Sequence, residues 1–202
     1  DEISVYKSRR RFGVALAKQW KEEGRPTPDV VIPIPDSARD AALACAEELE
    51  LPYREGFTKN RYIGRTFIMP NQEERQKSIR RKLNPIKLEF KDKVVLLVDD
   101  SIVRGNTSRK IIEIARASGA KAVYFASTSP PLVAPCPYGI DMATENDFVA
   151  ANRSLDEIRD EIGADELCYL DIQRMIDGGR AGNEKIKEFC TGCFTGCYPT
   201  PD

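Results

Sequence analysis

The chain contains no histidine. That absence removes the general base most used near neutral pH, every imidazole metal ligand and every Ser-His triad. Any chemistry therefore has to run on carboxylates, amines, guanidinium groups, backbone dipoles and a bound ion. Net charge is almost as scarce: 31 Lys+Arg against 32 Asp+Glu leave −1 over 202 residues. This excludes a bulk electrostatic nucleic-acid binder and still permits a local basic loop that holds phosphates. No apolar run approaches the length of a membrane span, and no secretory signal pattern opens the chain. The expectation is a cytoplasmic protein that contacts neither membrane nor nucleic acid. The first residue is Asp1 rather than Met, which reads as a chain processed, truncated or cut from something longer. Length and a hydrophobic fraction of 41% suit one α/β domain with a real core.

What is present is organised as alternating helical and extended patterns. Helical spacing runs over Tyr6 to Lys21 through Phe12, Leu16 and Trp20, and Gly24-Arg25-Pro26-Thr27-Pro28 breaks it. Val30 to Pro35 reads as a short buried strand, Ala41 to Leu49 as a small-residue helix and Pro52 to Thr58 as a second strand. Lys59 to Leu83 is rich in Arg, Lys and Gln and reads as a long excursion, with Gln72 to Arg81 helical; long polar loops inside compact α/β domains are usually functional. Val94 to Val98 is a central strand, Ser108 to Ser118 a helix and Ala122 to Ser127 the next strand. The proline-rich Ser129 to Pro137 cannot be helical. Leu155 to Ile162 is a helix, Glu166 to Leu170 a strand and Ile172 to Ile176 a further helical turn. Strands alternating with helices imply right-handed crossovers and a largely parallel, open sheet.

The densest chemistry lies in Lys93 to Ser108, where an apolar β-branched run ends in Asp99-Asp100 and is followed by Ser-Ile-Val-Arg-Gly-Asn-Thr-Ser. The strand delivers two acids at its C-terminal edge, the turn offers N–H and hydroxyl donors, and the next helix points its positive end at the same place. The stretch is neither a dinucleotide fingerprint nor a Walker A loop. Asp99 and Asp100 suit ribose hydroxyls or a magnesium shell. Arg104, Gly105, Asn106, Thr107 and Ser108 suit a phosphate monoester, with Gly105 letting the backbone approach. Ser37 and Arg39, in the loop after the first strand, suit a second anion, and Lys59, Arg61 and Arg65 are placed to close over it. Taken alone, an Asp-Asp pair merely caps a helix; the whole strand-acid-acid-turn-helix unit is what points to a ligand.

Six cysteines in a chain without secretory features point to metal or redox chemistry, or to simple burial, before disulfides. Cys190-Thr191-Gly192-Cys193 is a C-x-x-C that fits half a zinc knuckle, a redox pair or an iron–sulfur half-site. Its Gly/Thr/Pro-rich setting favours metal, and Cys136, between two prolines, is a credible distant ligand. Cys45 and Cys168 read as small buried residues.

Val98 to Ser108 resembles the phosphoribosylpyrophosphate (PRPP) signature of type I phosphoribosyltransferases. Lys59 to Pro70, Ser129 to Asp141 and Cys190 to Thr200 further resemble one branch, the glutamine PRPP amidotransferases, and the likeness runs essentially end to end. It implies a type I phosphoribosyltransferase fold over residues 1–202, a largely parallel sheet flanked by helices with a long flexible loop and a Cys-rich tail from about 178. The branch's N-terminal glutaminase domain has no counterpart in this chain. The implied activity replaces the pyrophosphate of PRPP with ammonia, as the first step of purine synthesis. The resemblance places Ser37, Asp99 and Asp100 at a magnesium site, Arg104 to Ser108 at the 5′-phosphate, Pro35 to Arg39 at the pyrophosphate, and Lys59 to Arg81 in a loop that orders over PRPP. It also implies purine-nucleotide inhibitors, a homo-oligomer in the full-length protein, and a [4Fe–4S] cluster on Cys136, Cys190 and Cys193. The fourth family ligand would fall just before Asp1, and Cys197 is a possible substitute. Two other functions share the phosphate signature: a PRPP-sensing regulatory module, which needs a DNA-binding face, and a purine-salvage phosphoribosyltransferase, which should lack the cysteine set.

Overall fold

A computed structural model describes residues 2–59, 83–139, 148–183 and 185–200. Helix α1 (Val5–Glu22) begins where the Ser4 hydroxyl accepts the Lys7 N–H, and it buries Leu16, Ala17 and Trp20. It packs on α2 (Arg39–Leu49), whose buried face is Ala41, Ala42, Ala44, Cys45 and Ala46. The small residues let the backbones meet: a Cβ at Gly13 would stand 2.0 Å from the Ala41 carbonyl oxygen. Strand β1 (Val30–Pro33) lies between these helices in sequence.

Strands β2 (Phe57–Lys59) and β3 (Leu83–Pro85) pair antiparallel, with Lys59 opposite Leu83. The one-turn helix α3 (Lys87–Phe90) leads into β4 (Val94–Asp99). Then follow α4 (Asn106–Ala117), β5 (Ala122–Ser127), α5 (Leu155–Ile162), β6 (Glu166–Tyr169), α6 (Ile172–Arg180) and the short α7 (Gly192–Thr195). Among the described residues the main sheet has four strands in the order β1-β4-β5-β6, all parallel.

β4 is central and buried from Val95 to Asp99, which is why it reads as a continuous apolar run rather than an alternating one. Its residues nonetheless divide by face. Val95 and Leu97 pack with Ile111, Ile112, Ile158 and Ile162 from α4 and α5. Leu96 and Val98 pack with Leu16, Trp20, Ala42 and Cys45 from α1 and α2. The result is the three-layer helix–sheet–helix arrangement expected of alternating strands and helices.

Three expectations change. The strand expected over Pro52 to Thr58 shrinks to β2; upstream, only Tyr53 bridges Val31, with the Val31 N–H donating to Pro52 O and the Arg54 N–H to Val31 O. β3 was hidden because Leu-Asn-Pro shows no alternation, and its pairing partner lies more than twenty residues away in sequence. The turn expected over Ile172 to Ile176 is a longer helix, α6, ending at Arg180. It runs through Gly178 and Gly179 because the rings of Phe12 and Phe189 occupy the space their Cβ atoms would need, at 3.0 and 3.3 Å. The helix expected over Gln72 to Arg81 lies outside the described residues. Among the described residues no helix is long and apolar enough to cross a membrane.

Candidate active site

Parallel pairing of β1 with β4 sends both following loops out at the same sheet edge; Pro33 stands opposite Val98, and the Ile34 N–H donates to the Val98 carbonyl at 2.8 Å. The Ser37/Arg39 loop and the Asp99–Ser108 stretch therefore meet where ligands sit in open α/β sheets. On the far side, Thr128 at the end of β5 donates its N–H to Asp99 O at 2.9 Å and its hydroxyl to the same oxygen at 3.2 Å. The backbone is thus held at Val98 from the β1 side and at Asp99 from the β5 side.

The two carboxylates are not equivalent. Asp99 is 9% exposed, and Asp100 is exposed. Burial, and then the charge of Asp100, push the Asp99 carboxyl well above the ordinary carboxylate range, opposed by an N–H donated from Asp100 to Asp99 Oδ1 at 2.8 Å. Asp100 accepts the Ser101 hydroxyl at 3.2 Å. A cation at this edge would favour the charged form of Asp99, and hard carboxylate oxygens are donors of the kind magnesium takes. The side chains fit that ion in chemistry. Among the described residues, though, no cluster of three or more acidic or cysteine side chains is arranged around a metal position.

Gly105 opens α4 with φ +74°, a conformation L side chains rarely adopt, and a Cβ there would lie 2.9 Å from Val149 Cγ2. The first intrahelical bond runs from the Arg109 N–H to Gly105 O at 2.8 Å. The N–H groups of Asn106, Thr107 and Ser108 thus precede the helical ladder and converge at the helix's positive end. Asn106 and Thr107 are exposed and Ser108 is buried; Arg104 is exposed. Val149 was not found from sequence. Its N–H donates to Val103 O at 2.8 Å, and its side chain forms the floor under Gly105. Only its β-branched apolar character was visible, and that marks core residues everywhere.

Ser37, half-buried, lies in the turn before α2, and Arg39 is the first residue of α2. Lys59 donates to Asp36 Oδ2 at 2.8 Å. Arg39 pairs with Asp36 at 3.7 Å and with Glu55 at 3.4 Å. Lys59 thus stands beside the β1–α2 loop, paired with an acid of the loop itself. Asp36, Arg39, Glu55, Phe57, Thr58 and Lys59 line one cavity of about 400 Å³. Arg61 and Arg65 lie outside the described residues.

The cysteines divide as expected into core and tail. Cys45 and Cys168 are buried, and burial pushes both thiols up to about 12. Burial pushes the Cys193 thiol up, opposed by a backbone hydrogen bond, with smaller contributions from Cys136 and Cys190; among the described residues these thiols are not arranged around a metal position. Two N–H groups, of Val133 and Ala134, donate to Cys193 O, and the Tyr198 hydroxyl donates to Pro135 O. Those bonds dock the tail on the loop that carries Cys136. Cys197 is exposed. A small apolar cluster of Leu132 and Phe148, with Val103, Ala151, Cys193 and Phe194 against it, joins the tail to the turn after β4.

A strand that ends in two acids, one buried and one exposed, beside a glycine-opened helix on a parallel sheet has the chemistry to take a sugar-phosphate ligand. Residues 12–129 match the phosphoribosyl transferase domain family, and the chain belongs to it. Over its whole length it is 52% identical to an amidophosphoribosyltransferase of Escherichia coli and 53% identical to one of Pseudomonas aeruginosa, and it aligns with their C-terminal part. It spans about 40% of the length of those relatives. Among solved structures, the glutamine PRPP amidotransferase of Bacillus subtilis complexed with ADP and GMP superposes with a TM-score of 0.83 at 42% identity. That superposition covers 98% of this chain and 43% of the other. The fold is the type I phosphoribosyltransferase fold.

Proposed function

We propose that this chain is the phosphoribosyl-transfer part of an amidophosphoribosyltransferase. Ammonia attacks the anomeric carbon of PRPP, a C–N bond forms, the bond to the pyrophosphate oxygen breaks, and pyrophosphate leaves with the electron pair; the product, 5-phosphoribosylamine, sheds the surplus proton to solvent. The observation that carries this reading is the buried–exposed pair Asp99 and Asp100 at the sheet edge, directly ahead of the Gly105-opened helix. The N–H groups and hydroxyls of Asn106, Thr107 and Ser108, with Arg104, bind the 5′-phosphate. Asp99 and Asp100 accept from the ribose hydroxyls and orient the ring. Ser37, Arg39 and Lys59 face the pyrophosphate, with Arg61 and Arg65 assigned to the same end. Asp99, Asp100 and Ser37 would hold magnesium, which when bound neutralises charge on the leaving pyrophosphate. Catalysis is then mainly positioning and electrostatic stabilisation, which suits a chain without histidine.

The share of the relatives' length outside the alignment has room for a glutaminase domain to supply the ammonia. The solved relative complexed with ADP and GMP supports purine nucleotides as inhibitors, and six free cysteines fit a reducing, cytoplasmic setting. Incubation with PRPP, magnesium and ammonium should release pyrophosphate, whereas glutamine in place of ammonium should not with residues 1–202 alone. Absence of both turnover and PRPP binding overturns the reading; turnover of hypoxanthine or guanine would favour a salvage enzyme instead.

We assign Cys136, Cys190 and Cys193 to a [4Fe–4S] cluster of the full-length protein, supported by the backbone bonds from Val133 and Ala134 to Cys193 O that dock the C-x-x-C on the loop carrying Cys136, and by thiolate chemistry that suits iron. Anaerobically purified full-length protein should contain iron and acid-labile sulfide, and Cys193→Ser should lose most of both. Equal iron in the variant and the parent, or none in the parent, contradicts the assignment.

A further inference from the structure

The cavity beside the β1–α2 loop is unusual for a place meant to receive a polyanion. Among the described residues its two cations, Arg39 and Lys59, are matched by two carboxylates of the protein, Asp36 and Glu55. Glu55 does not belong to the loop. It stands just before β2, half-buried, and accepts the Tyr53 hydroxyl at 2.7 Å. Arg39 forms ion pairs rather than hydrogen bonds, with Asp36 through one terminal nitrogen at 3.7 Å and with Glu55 Oε2 through the other at 3.4 Å; among the described residues, Arg39 Nε and Glu55 Oε2 are both buried without a hydrogen-bond partner. The chain of contacts runs from Tyr53 to Glu55, Arg39, Asp36 and Lys59. Tyr53 itself is pushed up by burial first and then by its bond to Glu55, which keeps it a neutral donor that fixes the carboxylate's orientation.

We propose that Glu55 is a positioning residue that attenuates anion binding at the β1–α2 loop by holding the Arg39 guanidinium away from the incoming pyrophosphate. Asp36 pairs with both Arg39 and Lys59, so the pull of Glu55 on Arg39 also bears on the pairing of Asp36 with Lys59. With Glu55 charged, a polyanion must compete with two carboxylates for the same two cations. With that charge removed, Arg39 either turns to the ligand or takes up Asp36 and releases Lys59, and the cavity gains one net positive charge by either route. A unit charge about 6 Å away in a water-exposed setting is worth roughly 0.7 kcal/mol, about threefold in affinity. The effect should be larger if Arg39 contacts the ligand directly.

The inference rests on the pyrophosphate reading of this loop, and calorimetry separates the two. Magnesium pyrophosphate and PRPP are titrated into the parent protein, Glu55→Gln, Arg39→Gln and the double variant, with thermal melts as a control for folding. Gln keeps the shape and the acceptor for Tyr53. Glu55→Gln is expected to bind both ligands at least about threefold more tightly, with KM for PRPP falling and kcat nearly unchanged; Arg39→Gln should weaken both, and in that background the gain from Glu55→Gln should vanish. A parent that binds neither ligand overturns the site reading. A parent that binds, with Glu55→Gln folded and no tighter, overturns the role of Glu55. A gain of equal size in the Arg39→Gln background overturns the route through Arg39.

Discussion

Asp99→Asn should cost on the order of 10²-fold or more in turnover with PRPP, the scale set by removing one preorganised electrostatic contact from an active site, and it should make the ligand-free protein harder to unfold at neutral pH. The two effects share a cause. Burial and the Asp100 charge raise the Asp99 carboxyl in the folded state. The folded protein therefore holds a proton there that the unfolded chain, with a pKa of about 3.9, gives up. The stability linked to that proton is fully present below the unfolded pKa and is lost as pH rises through the folded pKa. Asn carries no such term. Thermal melts without magnesium should show the variant above the parent at neutral pH and the two converging in acid, while steady-state assays show the loss of turnover. Added magnesium and PRPP should stabilise the parent and not the variant. A variant that melts below the parent at neutral pH would show that the carboxylate is structural rather than strained. An active site that sacrifices stability for charge placement is the expected pattern of a stability–function trade-off.

Gly105→Ala should damage both the fold and the phosphate site. The residue has φ +74° and its missing Cβ would press on Val149 Cγ2 at 2.9 Å. Left-handed backbone strain together with overpacking costs about 2–4 kcal/mol, enough to lower the melting temperature by several degrees. The same displacement moves the start of α4, so KM for PRPP should rise more steeply than kcat falls. Adding Val149→Ala to the variant should recover the steric part and leave the backbone part. If the double variant melts no higher than Gly105→Ala alone, Val149 is not the floor of the turn.

Legibility followed range along the chain. The β4–turn–α4 unit was readable because each signal is local: β-branched residues for a buried strand, acids where it ends, a glycine where the backbone must turn left-handed, and an apolar stripe at helical spacing. α2 and α5 were readable for the same reason, and α5 carries its own capping box between Ser154 and Glu157. β3 was not, since Leu83, Asn84 and Pro85 become a strand only by pairing with β2. Val149 and Glu55 escaped notice because nothing near them in sequence says that one lies beneath Gly105 and the other against Arg39.

The amino-acid sequence by itself determined the class of fold and the kinds of group that the strand ends carry to one edge of the sheet, because hydrophobic periodicity, turn residues and the lack of histidine act within a few residues of each position. Only the tertiary structure decided which acid is buried, which carboxylates pair with Arg39 and Lys59, and that the backbone of Cys193 is bonded to the loop that carries Cys136. Those outcomes depend on desolvation and Coulomb interactions between elements remote in the chain, and both are set by packing distance rather than by sequence spacing.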